Sequence, residues 1–480
     1  MTNFKQFIGG QWRDASNGGT WDVLNPATEE VVATVPFGAA ADCDLAIDAA
    51  QAAFDGWSHA TAYERGSVLD KAAALIRADL DALARTTVLE SGKPVAQARG
   101  EWAAAADLIE WFAEEGKRAY GRVIPSRSPS KRMLVLKQPL GVVGLITAWN
   151  FPAWNIARAG GAALAAGCPI VVRPSEYTPM TGMNLVRLLA EAGAPPGVVN
   201  LVNGEPGPMG QAMLAHPGLA KIHFTGSTRV GRLLMDGASK TVTRLSLELG
   251  GNAPVLVFPD VDLDQVVAGA TAAKFRNGGQ VCVSPQRFLV ARGAAPAFAE
   301  KVAAAVGALR VGAGLDATTQ VGPLINAKQR DRVEAMVAGA RVAGATVAVG
   351  GGRPADRDKG YFYQPTVVTE ITPDAALYRE EIFGPVLPVS TFEGVDQAIA
   401  LANQTRYGLA AYVWTNHLPT ALRVAERLEF GMIGVNEWTP HGPEAPFVGW
   451  KESGLGRESG AEGLEEYLET KLVAFGGLPR

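Results

Sequence analysis

The chain has 480 residues, of which 48% are hydrophobic and 19% are charged, a composition typical of globular proteins rather than of disordered or membrane chains. Its 44 basic and 48 acidic residues give a formal net charge of −4, so the chain carries no excess of positive charge that would hold nucleic acid. The length predicts two or three domains, because a single hydrophobic core rarely grows so large.

The three cysteines, at positions 43, 168 and 282, do not form the disulfide framework of a small secreted protein. The N-terminal stretch MTNFKQFIGGQWRDAS lacks a basic region followed by an apolar core, so it is not a secretory signal. The longest uncharged apolar stretch, 159–172, is shorter than the roughly 20 residues that cross a bilayer. These features predict a cytoplasmic protein with no membrane partner.

Helices are predicted first in the chain. Apolar residues recur at three- and four-residue spacing over 62–85, and the segments 39–57 and 101–118 show a similar pattern. From residue 133 onward, short β-branched runs such as PIVVRPS, VVNLVNG and KIHFTGS are each followed by turn residues and a helical segment. This alternation predicts a parallel sheet with helices on its faces.

A second α/β unit is predicted further along the chain. Its strand-like runs are NAPVLVF, RFLVARG, TVAVGGG, PTVVTEI, LPVSTF and AAYVWTN, and its helices include 295–309 and 326–343. Two strand-like segments remain outside both units. In GRVIPSRSPSKRMLVLKQP, Ser and Pro turn residues are flanked by strand-like residues, and KLVAFGGL is a lone strand with no hairpin partner nearby. We therefore expect them to pair with another segment or with another subunit.

The stretch KIHFTGSTRVG is a candidate phosphate site, because a β run ends at Gly226, Ser227 and Thr228 where a helix begins. Free backbone N–H groups and the helix dipole would favour a phosphate there. A plain turn in which Ser or Thr caps the helix is the alternative. Glu176, after another β run, could accept hydrogen bonds from an adenosine ribose, or could be a solvated surface residue.

Two further residues are candidates for chemistry. Glu248 stands between apolar neighbours, which predicts a raised pKa suited to a general base, unless the residue faces solvent on its strand. Cys282, between a glycine pair and a proline, is either a nucleophile or a small buried apolar residue. The five histidines show no metal-ligand spacing, so no metal site is predicted.

Seven segments, taken together, resemble the aldehyde dehydrogenase superfamily over nearly the whole chain. They are TAWNFP at 147–152, RPSE at 173–176, FTGSTRVG at 224–231, LELGGNAP at 247–254, GGQVC at 278–282, EEIFGPV at 380–386 and PFVGWKESGLGRE at 446–458. The resemblance implies an α/β fold with two Rossmann-like parallel-sheet domains and a small β oligomerisation arm. It assigns 1–120 and 140–249 to an NAD-binding domain, 250–452 to a catalytic domain, and 121–139 and 465–480 to the arm of a homodimer or homotetramer.

The resemblance also assigns catalytic roles. Cys282 would attack an aldehyde as a thiolate and give a thiohemiacetal. The Asn150 side-chain amide and the Cys282 backbone N–H would form the oxyanion hole. After hydride transfer to the nicotinamide, Glu248 would activate the water that hydrolyses the thioester, and the product would be a carboxylate.

The implied cofactor is NAD, because Glu176 would repel the additional phosphate of NADP. Arg173 stands where the family usually has lysine, and its guanidinium can also hold a phosphate, so NADP stays an alternative. The residues assigned to the cofactor are Trp149, Arg173, Ser175, Glu176, Gly226, Ser227, Gly231, Leu249, Glu381 and Phe383.

Within the superfamily the sequence is most similar to the succinate-semialdehyde dehydrogenase branch, in which two arginines hold the substrate carboxylate. Arg158 and Arg276 occupy the matching positions. His441 and Gly442 stand where the branch usually has a serine, and Ser284 replaces its second cysteine. The residues assigned to the substrate are Arg158, Arg276, Phe151, Trp154 and Phe447. An aromatic or aliphatic aldehyde is the alternative substrate, and a catalytically silent structural relative is the alternative kind of protein.

Overall fold

The computed structural model describes residues 4–477. Its strands are β1 Gln6–Ile8, β2 Gln11–Arg13, β3 Thr20–Leu24, β4 Val31–Pro36, β5 Arg122–Ile124, β6 Arg132–Pro139, β7 Val142–Ile146, β8 Ile170–Arg173, β9 Val199–Leu201, β10 Leu219–Thr225, β11 Arg244–Glu248, β12 Ala253–Val257, β13 Pro285–Ala291, β14 Thr346–Val349, β15 Thr366–Thr369, β16 Val386–Phe392, β17 Tyr407–Gly408, β18 Ala410–Trp414, β19 Met432–Val435, β20 Trp450–Lys451, β21 Gly454–Leu455 and β22 Leu468–Phe475.

The α-helices are α1 Ala40–His59, α2 Ala62–Ala78, α3 Leu80–Ser91, α4 Val95–Glu115, α5 Pro152–Ala166, α6 Pro179–Glu191, α7 Pro206–Ala215, α8 Thr228–Ala238, α9 Leu263–Phe275, α10 Ala295–Gly307, α11 Ala327–Val342, α12 Ala376–Arg379, α13 Gly394–Asn403, α14 Leu418–Arg427 and α15 Gly460–Glu465. Short 3-10 helices cover Gly116–Arg118 and Arg276–Gly279. No helix within residues 4–477 is both long and apolar enough to cross a membrane.

The first large sheet has eight strands in the order β2-β1-β9-β8-β7-β10-β11-β21. Strands β9, β8, β7, β10 and β11 run parallel, and the outer strands β1, β2 and β21 are antiparallel. The strand order reverses direction between β7 and β10. In open parallel sheets such a reversal leaves a crevice at the carboxyl ends of the strands, which is where nucleotides bind.

The second large sheet has seven strands in the order β14-β15-β16-β13-β12-β18-β19, and all of its pairs except β14 with β15 are parallel. Its central strands β12 and β18 are buried along their whole length, as expected for a parallel sheet covered on both faces. The predicted fold class, two Rossmann-like parallel sheets with a small separate β sheet, is confirmed.

The two strand-like segments outside both units pair with each other. Strand β22 lies antiparallel to β6 over its whole length, from Leu468 opposite Pro139 to Phe475 opposite Arg132, and β5 completes a three-stranded sheet. We call this three-stranded sheet the arm. Residues 1–3 and 478–480, at the ends of the predicted domain ranges, lie outside the described residues.

The single helix predicted over 62–85 is wrong, because the structure divides it into α2 and α3. Asp79 lies between them with φ −113° and ψ 23°, outside helical geometry. Aspartate disfavours the interior of a helix, since its side chain competes for backbone hydrogen bonds. The break lets α3 pack on both α4 and α6.

The predicted helix 101–118 begins earlier, at Val95, and ends as the 3-10 turn Gly116–Arg118.

Candidate active site

Two cavities meet at Cys282. The Ser227 cavity, named for a residue at its wall, has a volume of about 380 Å³, and the Arg276 cavity has a volume of about 360 Å³. Cys282, Asn150 and Thr225 line both cavities. A reactive group on Cys282 can therefore contact one molecule in each cavity at the same time.

The elements of the two sheets explain this meeting point. Asn150 follows the carboxyl end of β7, Thr225 is the last residue of β10, and Glu248 is the last residue of β11. Cys282 comes from the second α/β unit, in the loop before β13, and this loop closes over the crevice of the first sheet. Asn277, with φ +49°, gives the loop a left-handed turn, a conformation that asparagine adopts more readily than most residues.

The half-buried Cys282 thiol and the buried Glu248 carboxylate interact. Burial is the main reason that the pKa of Glu248 lies above its ordinary value; the nearby carboxylate of Glu458 raises it further, whereas the charge of Arg158 lowers it. The pKa of the Cys282 thiol is also raised, first by burial and then by the charge of Glu248. The predicted raised pKa of Glu248 is thus confirmed, and the alternative of an exposed strand residue is wrong, because the side chain is buried.

The other two cysteines differ from Cys282. Cys43 and Cys168 are buried, and desolvation raises the pKa of their thiols to about 12 and about 11, respectively. Neither thiol lines the cavities that meet at Cys282. Among residues 4–477 no group of His, Cys, Asp and Glu side chains has an arrangement that would hold a metal ion.

Asn150 is buried, and hydrogen bonds hold it from both sides. Its side-chain Nδ2 donates to the Gln280 backbone carbonyl at 3.2 Å. The backbone carbonyl of Asn150 accepts from Lys93 Nζ at 2.7 Å and from Asn277 Nδ2 at 3.0 Å. The amide is therefore fixed beside the loop that carries Cys282, as an oxyanion-hole donor must be.

The Ser227 cavity has the features of a nucleotide site. The Ser227 hydroxyl accepts a 3.4 Å hydrogen bond from the backbone N–H of Val230 and caps α8. The helix-cap interpretation is therefore confirmed; the N-terminus of α8 also lines the cavity, and the phosphate site stays a prediction. The predicted cofactor residues that line this cavity are Trp149, Gly226, Ser227, Leu249, Glu381 and Phe383.

At the inner end of this cavity, Phe383 is held in a strained conformation with φ +51°. Gln329 donates to the Phe383 carbonyl at 2.7 Å, and the ring of Trp149 lies 5.4 Å from the Phe383 ring. Glu381 accepts from the Gly251 backbone at 2.9 Å, and burial raises the pKa of Glu381 to about 7. Backbone strain of this kind persists where the surroundings hold a functional side chain in place.

Four predicted cofactor residues lie outside the cavity wall. Arg173 donates to the Gly204 carbonyl at 2.7 Å and pairs with Glu176 at 2.9 Å, so its charge is already compensated. Ser175 accepts from the Tyr177 backbone at 3.3 Å. Gly231 packs against Leu249, and a Cβ at position 231 would lie 2.8 Å from the Leu249 side chain. Gly231 therefore contacts Leu249, a residue of the cavity wall, and does not line the cavity itself.

The Arg276 cavity contains a cation without an acidic partner. Arg276 is mostly buried, its guanidinium lies 5.3 Å from the centre of the Phe151 ring, and no carboxylate among residues 4–477 forms an ion pair with it. Phe151 and Trp154 also line the cavity, as predicted. A buried, unpaired guanidinium is costly unless a ligand anion neutralises it.

The structure does not bring Arg158 to this cavity. The Arg158 guanidinium lies between the rings of Trp154 and Phe447, at 4.3 and 4.2 Å, and its Nη2 pairs with Glu458 at 2.8 Å. Glu458 also lies 2.7 Å from the Nε2 of His223. Arg158 and Phe447 thus stand behind the cavity wall rather than in it.

His441 lines the Arg276 cavity, where its ring lies 5.6 Å from that of Trp154. Burial, together with the charges of Arg276 and Arg158, lowers the pKa of His441 to about 3. The imidazole is therefore neutral at pH 7 and adds no charge to this wall.

Several lining residues were missed by the sequence analysis. Thr225 directly precedes the predicted Gly226, so its place in a quoted motif was a usable signal. Others come from helices or loops without a motif, and only the tertiary fold brings them to the site. These residues are Gln97, Glu101, Asn155 and Thr439 in the Arg276 cavity, and Gln329, Arg332 and Tyr407 in the Ser227 cavity.

The Cys282 thiol, the Glu248 carboxylate and the Asn150 amide thus lie together where the Ser227 cavity and the Arg276 cavity meet. Comparison with protein families matches the model of the "Aldehyde dehydrogenase family" over residues 12–473. The chain belongs to the aldehyde dehydrogenase family, as the seven motifs predicted, and it is therefore an oxidoreductase that acts on aldehydes.

Three relatives show how close the similarity is. The chain is 46% identical to the succinate-semialdehyde dehydrogenase (NADP+) of Escherichia coli K12 and 46% identical to the glutarate-semialdehyde dehydrogenase of Pseudomonas putida KT2440. Each alignment covers 98% of this chain and 97% of the relative. A crystal structure of betaine aldehyde dehydrogenase from Staphylococcus aureus in complex with NAD+ superposes with a TM-score of 0.97 at 36% identity, and the match covers 100% of this chain and 95% of that one.

Proposed function

We propose that the protein oxidises an aldehyde with one acidic group, such as succinic semialdehyde, to the corresponding carboxylate. The observation that carries the proposal is Arg276, a half-buried cation that forms no ion pair with a carboxylate of the described residues and lines the cavity that contains Cys282. A substrate carboxylate at Arg276 would hold the aldehyde at the other end of the molecule near the thiol. The similar enzymes from E. coli and P. putida, which are named for succinate and glutarate semialdehydes, support this substrate class.

In the proposed mechanism, the Cys282 thiolate attacks the aldehyde carbon, and the carbonyl π electrons move onto the oxygen. The Asn150 side-chain amide and the Cys282 backbone N–H donate hydrogen bonds to this oxygen. After oxidation, Glu248 removes a proton from water, the water oxygen attacks the thioester carbon, and the C–S bond breaks to release the carboxylate and the thiol. Thr225 lines both cavities beside Cys282 and Asn150.

The residues of the Ser227 cavity fit a nicotinamide dinucleotide. The N-terminus of α8 suits a phosphate, Glu381 suits a ribose diol, and the Phe383 ring offers a flat apolar wall. When bound, the nicotinamide accepts the aldehyde hydrogen together with its electron pair. We propose NAD as the cofactor, because Glu176 neutralises Arg173 beside the expected adenosine ribose; NADP stays the alternative.

An aromatic or aliphatic aldehyde is the second candidate substrate. Two observations favour it. Phe151 and Trp154 form an aromatic part of the cavity wall, and Arg158 lies outside the cavity, where it pairs with Glu458. Only one of the two predicted arginines is then free to bind a carboxylate, so a neutral ring could occupy the remaining apolar space.

The test compares succinic semialdehyde, benzaldehyde and hexanal, each with NAD and with NADP, by following NADH or NADPH absorbance. For Arg276→Met we expect KM for succinic semialdehyde to rise roughly 10- to 100-fold, with hexanal unchanged, because only the first substrate carries a charge for Arg276. The matched control is Arg310→Met, at a cationic residue outside both cavities. Equal KM increases for all three aldehydes would contradict the proposed carboxylate site. Absence of NADH with every aldehyde would instead favour the catalytically silent alternative.

We also propose the domain roles implied by the family. In this assignment 1–120 and 140–249 bind NAD, 250–452 supplies the nucleophile, and the arm from 121–139 and 465–480 joins subunits into a homodimer or homotetramer. Val123, Leu136 and Phe475 support the proposed oligomer, because they are exposed apolar residues on one face of the arm.

A reducing compartment such as the cytoplasm suits a protein whose three cysteines are free thiols and whose chemistry needs one of them reduced.

A further inference from the structure

Lys93 is a buried cation next to the active site that no step described above uses. It follows the left-handed Gly92 at the end of α3, and only 1% of its surface is exposed. Its Nζ forms a buried ion pair with Glu101 of α4 and lies 4.2 Å from the centre of the Phe151 ring. A lysine buried at this depth needs a specific reason to be there, since desolvation of its charge is costly.

The ammonium and the carboxylate each hold one end of the same short turn. Lys93 Nζ donates to the Asn150 carbonyl at 2.7 Å, and Glu101 Oε1 accepts from the Ala153 backbone N–H at 2.8 Å. The turn between these two peptide groups connects β7 to α5. The pair thus holds both ends of the turn that presents the Asn150 side chain.

The same carbonyl connects the turn to the loop that carries the nucleophile. Asn277 Nδ2 donates to the Asn150 carbonyl at 3.0 Å and to the Gln280 carbonyl at 3.2 Å, and Asn150 Nδ2 donates to Gln280 as well, at 3.2 Å. Movement of the Asn150 peptide would therefore shift its amide relative to Cys282. Displacement by about 1 Å is enough to weaken a preorganised oxyanion donor.

We infer that Lys93 and Glu101 are positioning residues that set the oxyanion hole through the Asn150 peptide. They touch neither the reacting atoms nor the cofactor cavity, although Glu101 reaches the wall of the Arg276 cavity. The inference rests on the oxyanion role proposed for Asn150. It predicts that the pair affects turnover and leaves cofactor binding alone.

The test uses the double variant Lys93→Met/Glu101→Gln, which leaves no unpaired buried charge and keeps an oxygen for the Ala153 N–H. We expect kcat to fall roughly 10- to 100-fold, KM for NAD to stay within about twofold, and iodoacetamide to alkylate Cys282 at an unchanged rate. Alkylation does not create an oxyanion, so it reports the thiol alone.

Lys221 offers a matched control. It is also 1% exposed, pairs with Glu466 at 3.0 Å, and lies 4.5 Å from an aromatic ring centre, that of Tyr467. It stands four residues before Thr225 on β10, about 13 Å along the strand. The double variant Lys221→Met/Glu466→Gln should lower thermal stability by a similar amount and keep kcat within about twofold. Equal losses of kcat in the two double variants would mean that the Lys93 pair only stabilises the fold, and would overturn the inference.

A double-mutant cycle with Asn150→Ala separates positioning from stability. If the pair acts through the Asn150 amide, its removal in the Asn150→Ala background costs no further kcat, whereas a structural role gives additive losses. Hydrolysis of p-nitrophenyl acetate is followed in parallel, because acyl transfer to Cys282 also passes through an oxyanion but requires neither aldehyde nor NAD. A wild-type chain that cleaves the ester and makes no NADH would contradict the proposed function, and the variant comparison would still decide the inference. Additive losses in the ester assay would overturn it.

Discussion

At the scale of single residues, the chemistry depends on two acids that burial keeps from ionising easily. The charge of Glu248 raises the pKa of the Cys282 thiol, whereas the hydrogen bond from Cys282 lowers the pKa of Glu248, which burial otherwise raises. Arg158 opposes this effect from behind the wall, because its positive charge stabilises the ionised form of both groups. The pKa of Glu248 therefore depends on Arg158 and Glu458, neither of which lines the Ser227 or the Arg276 cavity.

The raised pKa of Glu248 predicts a pH-dependent rate. A general base works only when deprotonated, so with a pKa above the ordinary range kcat should rise between roughly pH 6 and 9. In Glu248→Gln we expect kcat to fall roughly 10²- to 10⁴-fold and the rise to disappear, while alkylation of Cys282 still occurs. Steady-state rates with succinic semialdehyde across this pH range check the prediction. A wild-type profile that is flat over the same range would contradict it.

The pair of Arg173 and Glu176 predicts how the cofactor preference could be changed. Glu176→Gln removes the carboxylate that neutralises Arg173, so the guanidinium becomes free to bind a 2′-phosphate. We expect kcat/KM with NADP to rise roughly 10-fold relative to that with NAD. The control is Glu191→Gln, which removes the partner of Arg187 in an exposed pair. An unchanged NADP-to-NAD ratio would show that Arg173 does not reach the phosphate.

The residue scale also shows where prediction from sequence succeeds. Cys282, Glu248 and Asn150 lie in contiguous motifs, and the raised pKa of Glu248 follows from its apolar neighbours alone. The ion pair between Arg158 and Glu458 joins residues 300 positions apart, so no local sequence pattern indicates it. The same holds for Lys93 and Glu101, whose importance depends on contacts with the Asn150 turn that only the folded chain creates.

At the scale of elements, helix α6 illustrates capping by a distant side chain. Its N-cap residue Thr178 makes no side-chain hydrogen bond to the helix. Instead Glu90 of α3 accepts from the backbone N–H groups of Met180 and Thr181, each at 2.8 Å. The position of Glu90 depends on the break at Asp79, because a continuous helix would direct this residue elsewhere.

This contact predicts a loss of stability in Glu90→Ala. The variant leaves two buried backbone donors without partners, which should cost about 2 kcal/mol of unfolding free energy. The midpoint of the first urea transition, followed by circular dichroism, measures the effect. Glu191→Ala, at an exposed position at the other end of α6, is the control and should keep its midpoint. An unchanged midpoint in Glu90→Ala would mean that water caps the helix equally well.

At the scale of the whole molecule, the arm is the feature that predicts assembly. Val123, Leu136 and Phe475 are exposed on one face of a small sheet, where charged residues would be expected in a monomer. We expect Leu136→Asp/Phe475→Asp to lower the mass measured by light scattering to that of a smaller assembly or of the monomer. Leu418→Asp, at an exposed leucine of α14, should leave the mass unchanged. A wild-type mass equal to that of one chain would contradict the proposed oligomer.

The two large sheets were predictable because their strands are short β-branched runs that alternate with helices. The edge of the first sheet was harder to predict from the sequence. The edge strand β21 is only two residues long, and its pairing with β11 joins residues more than 200 positions apart. No periodicity indicates so short a strand.

The pairing of β21 with β11 also has a consequence for the order of synthesis. Gly454 lies opposite Glu248, and Glu458 reaches His223 from the same C-terminal segment. Ribosomes deliver the chain from its N-terminus, and domains usually fold as they emerge. The first sheet cannot complete this edge until β21 has been released, so the nascent chain contains Cys282 long before it contains the strand that pairs with β11 at Glu248. A chain that stopped before β21 would consequently have Cys282 beside an incomplete first sheet.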